Sequence, residues 1–503
     1  MGAFDAVMWG VEGDPLLRSV ITLVAELDAE PETDVVIDRV ERMSLSAPKL
    51  RQRAIGNPFS LLPPRWETDE NFDLSYHLRW ERVPGKDTGL PQVLELAETI
   101  SEQDFDRARP LWEVHVVTGL ADGRAAFIIK IHHAITDGVG GLQMAASLFD
   151  LTREPNMDLP PKPEAPAPHH LDTRNRLKQG VKVGRETTLS DIKGTAKGAS
   201  DLAMKAVADP MTSAVEAQEW VASAGRLMAP AAIPMSDLWT NRSLSVAFSV
   251  IESPLDDLKK AAKAVGCTLN DAFMAAVAGG LASYHHAHGS TPEALRVNMP
   301  INVRTEGDEG SGNRWVPARF LVPVNLEDAE ARIKQLHPIL AQARMEPALA
   351  LSDVVYKVLT LLPRPITTSI SGGLMKGTDF AATNVPGPPI PVFFAGALVR
   401  SLIPFAPKGG AAVNIGLMSY DGRVFLGINV DRGAVAFPDQ LTDCISESLE
   451  AVIAVGAKAQ VNEAAKKAPA AKKAAAKKAP AKRVPAKKAP AKKATAKKAP
   501  AKK

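Results

Sequence analysis

Residues 131–138 read Ile-His-His-Ala-Ile-Thr-Asp-Gly and overlap the end of an apolar run at 126–132 that predicts a β-strand. Histidine has an unperturbed pKa that suits proton transfer near neutral pH. Asp137 could orient the imidazole of His133 or brace the turn by pairing with an arginine, and Gly138 permits a tight bend. We interpret this stretch as a site of acid–base chemistry. A lone histidine after a strand would more often be a core residue.

The segments around this stretch predict a mixed α/β fold. In the first region, 1–155, runs at 113–120 and 126–132 predict a hairpin, and 140–152 predicts a helix. In a second region, 239–457, the pattern predicts strands at 244–251, 296–303 and 318–324, a hairpin at 412–430, and helices at 253–264, 270–284, 329–346, 350–362 and 437–455.

A connector, 156–238, joins the two regions. It begins with a proline-rich stretch, which predicts an exposed segment because proline removes hydrogen-bond donors. Residues 174–229 then have high helix propensity and predict broken amphipathic helices. These helices either cover the surface of the fold or face a lipid interface, where Trp and Met beside Lys are also found.

The charge of the chain is divided between a body and a tail. The 60 Lys+Arg and 57 Asp+Glu residues nearly balance, but 16 of the basic residues and no acidic ones fall in 464–503. The tail therefore carries +16, and the 44 basic and 57 acidic residues that remain leave the body at −13. Residues 458–503 lack the apolar side chains for a core and predict disorder. Such a tail binds DNA or other polyanions by counterion release, or it neutralises the body and keeps it soluble.

Several classes of protein are excluded by what the sequence lacks. The two cysteines cannot build a disulfide framework, which fits a reducing cytosol. We find no secretory signal and no apolar run long enough to span a bilayer. Phosphate-loop, dinucleotide-binding and GxSxG motifs are absent. His285-His286-Ala287-His288 has no cysteine or carboxylate near it in sequence, so we predict no metal site.

The motif at 132–138 resembles the HHxxxDG signature of the chloramphenicol-acetyltransferase-like acyltransferases, which include peptide-synthetase condensation domains. Three further segments resemble motifs of the bacterial wax ester synthase/diacylglycerol acyltransferase family. Pro110-Leu111-Trp112 matches its PLW motif, Asn270-Asp271 its ND motif, and residues 384–388 its NVPGP segment. The resemblance extends over about residues 3–455, and the joint match is specific.

This resemblance implies a two-lobed, CoA-dependent acyltransferase fold with the active site in a channel between the lobes. It implies transfer of a long-chain acyl group from acyl-CoA to diacylglycerol or a fatty alcohol, giving triacylglycerol or wax ester. Acyl-CoA is then a co-substrate, and no cofactor is needed. Because the acceptors are insoluble, the resemblance implies a cytoplasmic enzyme in peripheral contact with the inner membrane or lipid droplets.

The resemblance also assigns roles to the motif residues. His133 would be the general base, His132 would support the loop, and Asp137 would be a structural brace with Arg304 as a candidate partner. Asn270 or a backbone N–H near Gly138 would stabilise the oxyanion. The remaining candidates for the channel are Asp271, Pro110, Leu111 and Trp112, although the PLW motif could equally be strand-entry packing.

Two other functions remain open at this stage. One is a condensation-type acyltransferase that uses carrier-protein thioesters. The other is a polyanion-binding protein on an acyltransferase scaffold that has lost activity, and the intact His132-His133-Asp137 set weighs against it.

Overall fold

The computed structural model describes residues 1–56, 64–85, 87–167, 233–302, 315–345, 356, 359–360 and 364–476. By its internal contacts the chain divides into Met1–Ala457 and Lys458–Lys503. The predicted connector helices at 174–229 lie outside the described residues, as does most of the predicted helix at 350–362.

The first unit is built on strands from both halves of the chain. In chain order the strands are β1 Val20–Leu27, β2 Gln52–Ile55, β3 Arg65–Thr68, β4 Leu78–Arg82, β5 Trp112–Thr118, β6 Ala125–His132, β7 Phe149–Asp150, β8 Val246–Pro254, β9 Ala294–Asn302, β10 Trp315–Pro323, β11 Phe380–Pro386, β12 Phe393–Phe394, β13 Ala397–Phe405, β14 Val413–Tyr420 and β15 Arg423–Asp431. They form a seven-stranded sheet in the order β4-β5-β6-β1-β13-β12-β7 and a six-stranded sheet in the order β10-β9-β11-β14-β15-β8. β2 and β3 pair separately.

The described helices cover these sheets. They are α1 Ala3–Val11, α2 Thr33–Ser46, α3 Leu74–His77, α4 Leu90–Glu102, α5 Gly138–Ala145, α6 Leu255–Ala264, α7 Leu269–Ala287, α8 Ala329–Arg344, α9 Arg364–Met375 and α10 Pro438–Ala476, with short 3-10 turns at Pro15–Leu17, Pro48–Arg51, Ala121–Gly123 and Ala146–Leu148. One hydrophobic core surrounds the seven-stranded sheet, and a second packs α7 against the six-stranded sheet. The predicted mixed α/β, two-lobed fold is confirmed.

Both predicted hairpins form. β5 pairs antiparallel with β6, and the turn between them places Asp122 at a φ of 59°. β14 pairs antiparallel with β15 across the turn at Asp421 and Gly422. The local pattern of apolar and polar residues and the turn residues were sufficient to predict these hairpins, because the two strands of each hairpin lie close together in the sequence.

The predicted helix at 140–152 is wrong at its C-terminal end. α5 ends at Ala145, a 3-10 turn follows, and Phe149–Asp150 forms an edge strand paired with Phe393–Phe394. Asp150 accepts a 2.9 Å hydrogen bond from the buried guanidinium of Arg39. The tertiary contact overrides the helical periodicity of this segment.

The boundary between the lobes in space differs from the one we predicted in the sequence. β12 and β13 fall within the predicted C-terminal region, 239–457, yet both complete the seven-stranded sheet. β13 pairs antiparallel with β1, so that Thr22 lies opposite Phe405. This pairing joins residues almost 400 positions apart, and no local pattern predicts it.

The central helix α7 packs unusually close to α10. A Cβ atom added at Gly280 would lie 2.5 Å from the Cα of Ile445. The Ala- and Gly-rich composition of α7 therefore reflects close helix packing. No single helix among the described residues is long and apolar enough to cross a bilayer. Only α6 and α7 taken together have the required length and hydropathy, and a 97° bend separates them.

The last helix continues further than the sequence predicted. α10 extends to Ala476, so 458–476 is helical where we predicted disorder, and 477–503 lies outside the described residues. Alanine and lysine both have high helix propensity, which favours this continuation, whereas Pro469 within it opposes a helix.

Candidate active site

A cavity of about 350 Å³ lies between the two sheets and takes its walls from both. β1 and β6 of the seven-stranded sheet form one side, and β9, β10, β11 and β14 of the six-stranded sheet form the other. Most of the described lining side chains are apolar. The described lining residues with ionisable side chains are His133, Asp137, Arg319, Tyr356 and Lys408.

His133 lines this cavity immediately after β6 ends at His132. Its backbone N–H donates a 2.8 Å hydrogen bond to the carbonyl oxygen of Ser19. The turn is closed by a 2.9 Å bond from the N–H of Ile135 to the carbonyl of His132. The half-buried imidazole of His133 is thus carried by a fixed backbone, as a proton-transfer group requires.

The neighbouring His132 is turned away from this role by its own contacts. Its Nδ1 accepts a 2.9 Å hydrogen bond from the N–H of Ala134, so this nitrogen carries no proton. Its Nε2 lies 2.9 Å from Oε1 of Glu12. The side chain is 1% exposed and does not belong to the described lining of the cavity. We therefore assign it to holding the loop.

Glu12 is a residue of this site that the sequence did not reveal. Besides His132 it contacts the N–H of Ser19 at 2.7 Å and the guanidinium of Arg107 at 2.9 Å. Burial alone would raise the pKa of Glu12, but these partners outweigh burial and hold it below its ordinary value. Glu12 thereby connects α1 to both histidines of the motif. No local signal could have identified it, because His132 and Arg107 are far away in sequence.

Asp137 lines the cavity and also caps a helix. Its Oδ1 accepts a 2.8 Å hydrogen bond from the N–H of Gly140, so it is the N-cap of α5, which begins at Gly138. The predicted partner Arg304 lies outside the described residues. The cap is a structural contact, and the brace that we predicted with an arginine stays a prediction.

The PLW motif divides between the cavity wall and the core. Trp112 lines the cavity, and its indole Nε1 donates a 2.7 Å hydrogen bond to the carbonyl of Leu50. The ring stacks on His77 at 4.5 Å between centroids. Pro110 and Leu111 are buried outside the described lining, and the carbonyl of Leu111 accepts a 3.0 Å bond from the N–H of His132.

Asn270 and Asp271 are not among the described residues that line the cavity, so their roles as channel and oxyanion candidates stay predictions. Both lie in the first turn of α7. Asp271 forms a reciprocal capping box with Thr268 and lies 2.7 Å from Nδ1 of His337. The spacing Thr268-x-x-Asp271 is itself a capping signature, so the role of Asp271 as a helix cap could be predicted from the sequence.

Other described residues of the cavity wall were not singled out from the sequence. Asn298, Arg319 and Asn414 line it from the six-stranded sheet, and Lys408 from the loop after β13. Burial lowers the pKa of Arg319, and the nearby charge of Arg296 lowers it further. Burial also lowers the pKa of Lys408, and the 2.8 Å contact with Asp431 offsets only part of this effect.

Comparison with known proteins gives two family models and many relatives. The wax ester synthase/diacylglycerol acyltransferase catalytic domain matches residues 1–273, and the C-terminal domain of the same family matches 311–452. A putative diacylglycerol O-acyltransferase of Mycobacterium tuberculosis is 34% identical over 457 residues, which cover 90% of this chain and 92% of the relative. A probable diacylglycerol O-acyltransferase of the same species is 25% identical, covering 86% and 90%.

Solved structures share the fold. The wax ester synthase/diacylglycerol acyltransferase from Marinobacter aquaeolei VT8 superposes with a TM-score of 0.59 at 20% identity, covering 90% of this chain and 98% of that one. The first condensation domain of the calcium-dependent antibiotic synthetase gives a TM-score of 0.58 at 15% identity, covering 91% and 96%. At these identities the likeness concerns the fold alone.

Proposed function

The chain is a member of the wax ester synthase/diacylglycerol acyltransferase family, and from that membership we propose that it moves a long-chain acyl group from acyl-CoA to diacylglycerol or a fatty alcohol. It is an acyltransferase. The observation that carries the finer proposal is the placement of His133 in the wall of a largely apolar cavity between the two lobes.

In the proposed reaction the neutral imidazole of His133 takes the proton from the hydroxyl group of the acceptor. The hydroxyl oxygen attacks the thioester carbonyl and forms a tetrahedral intermediate whose oxyanion needs hydrogen-bond donors. The intermediate collapses as the carbon–sulfur bond breaks, and the imidazolium returns its proton to the leaving thiolate. The products are an ester and free CoA, and no acyl-enzyme forms.

Two further observations support the choice of His133 over His132 as the base. His132 is held by Ala134 and Glu12 on the side of the strand away from the described cavity wall. The apolar lining near His133 suits an acyl chain, because burial of each methylene contributes about 0.8 kcal/mol. Asn270 or a backbone N–H near Gly138 supplies the oxyanion donor in this proposal.

The activity can be tested directly with purified protein, labelled palmitoyl-CoA and a panel of acceptors containing diacylglycerol, monoacylglycerol and long-chain alcohols. We expect labelled triacylglycerol or wax ester on thin-layer chromatography, with release of one CoA per ester. A parallel assay with palmitoyl carrier protein separates this activity from condensation-type chemistry. Ester formation only from the carrier-bound donor would overturn the proposed substrate.

We also propose that the enzyme works at a lipid surface and that its tail contributes to attachment. Residues 464–503 carry +16, and anionic headgroups attract such a segment. The same charge would bind DNA or polyphosphate without sequence preference. Peripheral attachment of this kind needs no membrane-spanning helix.

A further inference from the structure

The cavity-facing side of the six-stranded sheet carries a row of six aligned residues, four of which are polar. Strand pairing places these residues opposite one another in turn: Arg319, Asn298, Ala381, Asn414, Asn429 and Phe248. Residues directly opposite on neighbouring strands project from the same face of a sheet. The first four line the main cavity, and the last two line a second cavity of about 60 Å³. The row therefore extends from one cavity into the other.

The two cavities adjoin, and His133 lies in the wall of the main one. Thr22, Pro407 and Lys408 line both of them. Thr22 lies on β1 three residues after Ser19, whose carbonyl oxygen accepts the backbone N–H of His133. A substrate that passes from the second cavity into the main one would thus approach His133 along the side chains of Asn429 and Asn414.

Asn414 and Asn429 each present one amide oxygen that lacks a donor. The Nδ2 of Asn414 donates a 2.7 Å bond to the carbonyl of Pro407, and the Nδ2 of Asn429 donates a 3.0 Å bond to the carbonyl of Ala406. Carbonyl oxygens only accept, so these bonds fix which end of each amide is nitrogen. No group among the described residues donates to Oδ1 of either side chain, and both atoms are buried.

These unpaired acceptors point to a ligand that brings hydrogen-bond donors. The side chains belong to residues that are only 5% and 6% exposed, and a buried acceptor without a donor is unfavourable. An acyl chain has no donors to offer. Diacylglycerol and a fatty alcohol each have a single hydroxyl group, which the proposed reaction already engages at His133. The remaining candidate is the pantetheine arm of the thioester, which has two amide N–H groups.

We propose that Asn414 and Asn429 bind the two amide N–H groups of the pantetheine arm of the acyl donor. This inference rests on the proposed function and deepens it. Four bonds separate the two amide nitrogens of pantetheine, about 5 Å when extended. Neighbouring strands lie about 4.8 Å apart, which matches the spacing of these two asparagines on β14 and β15. Asn414, which lines the main cavity, takes the amide nearer the sulfur, and Asn429 takes the other.

The test uses palmitoyl thioesters of CoA in which an ester oxygen replaces one amide N–H at a time. For the wild-type protein we expect kcat/KM to fall about 5- to 100-fold for each replacement, the usual loss for a hydrogen bond to a buried acceptor. In Asn414→Leu the preference for the natural amide near the sulfur should disappear, while the preference at the other amide remains. Asn429→Leu should show the reverse pattern. Asn71→Leu, at an exposed position outside both cavities, should behave as wild type.

Equal use of the amide and ester donors by the wild-type protein would overturn the inference, even if neither variant folds. Loss of activity in the variants that depends on the acceptor alcohol, and not on the donor, would also overturn it. Failure of every acyl thioester to react would count against the proposed function alone. In that case the affinities of the unreactive hexadecyl thioether of CoA and of its ester analogues can be compared by calorimetry. This comparison still decides whether the asparagines recognise the amide N–H groups.

Discussion

Oε1 of Glu12 lies 2.9 Å from Nε2 of His132, the residue next to the proposed base. The same oxygen accepts the N–H of Ser19, and the carbonyl of Ser19 in turn accepts the N–H of His133. One buried carboxylate is therefore connected to both histidines of the motif. This relationship explains how the end of α1 can control the geometry of a loop more than a hundred residues away.

Replacing Glu12 with glutamine should lower both stability and turnover, because the ionised acceptor is lost while the packing volume remains. We expect a loss of about 1.5–3 kcal/mol in the free energy of unfolding, typical of hydrogen bonds to charged groups. The folded-state pKa of Glu12 is depressed below its ordinary 4.5, so its stabilisation is present above that pH and is lost as the pH falls through the folded-state pKa. Thermal melts of both proteins should therefore converge on acidification. A stability gap independent of pH would contradict this account.

His133→Ala should lower turnover by roughly 10²–10⁴, the range for loss of general-base catalysis. Stability should change little, because the side chain is half-buried and lines a cavity. The measurement is ester formation alongside a thermal melt. His132→Ala is the comparison variant, and it should lower the melting temperature because two contacts of a buried ring are lost. Near-normal turnover in a well-folded His133→Ala protein would falsify the assignment.

Asp137→Ala should remove the N-cap of α5 and destabilise the protein by about 0.5–2 kcal/mol. Activity should fall as well, because the loop after His133 loses its anchor. Asp137→Asn keeps an oxygen that can accept the Gly140 N–H, so it should recover most of the stability. If Asp137→Asn regains the melting temperature but not turnover, the negative charge has a direct part in the reaction.

Deletion of residues 464–503 should leave turnover on detergent-dispersed substrate nearly unchanged, since every residue of the described cavity wall precedes it. Sedimentation with anionic liposomes should weaken, because each lysine near such a surface contributes about 1 kcal/mol. A full-length variant with these lysines changed to glutamine separates charge from length. Undiminished binding of both altered proteins to liposomes and to random duplex DNA would place attachment elsewhere in the chain.

Gly280→Ala should destabilise the protein by about 1–3 kcal/mol, because its Cβ would press against the backbone of α10. Gly373→Ala is the matched substitution in α9, where a Cβ would have no neighbour within 4 Å. There the change should be neutral or stabilising by about 0.5–1 kcal/mol, since alanine favours helices. Chemical denaturation of the two variants tests the close packing of α7.

Elements defined by neighbours in sequence were predictable. The hairpins around Asp122 and Asp421 follow from the strand pattern of apolar and polar residues and from the turn residues between the strands. The motif around His133 could be recognised because its residues are consecutive in the sequence. Glu12 was not predictable, because its partners are brought to it only by the folded chain. The alignment of Asn414 with Asn298 depends on strand register across β11, which one sequence does not reveal. At Asn270-Asp271 the structure shows a helix cap formed by Asp271, and the substrate contact that we expected there stays a prediction.

The pairing of β1 with β13 has a consequence for biosynthesis. β1 lies between β6 and β13, so one of its edges stays open until Ala397–Phe405 leaves the ribosome. At typical elongation rates of about 5–20 residues per second, that interval lasts on the order of 20–75 s. During this time an unpaired apolar strand edge is exposed to aggregation or to chaperones. We therefore expect the sheet of the first lobe to stay incomplete until the second half of the chain is synthesised, and a fragment that stops before β13 should not fold by itself.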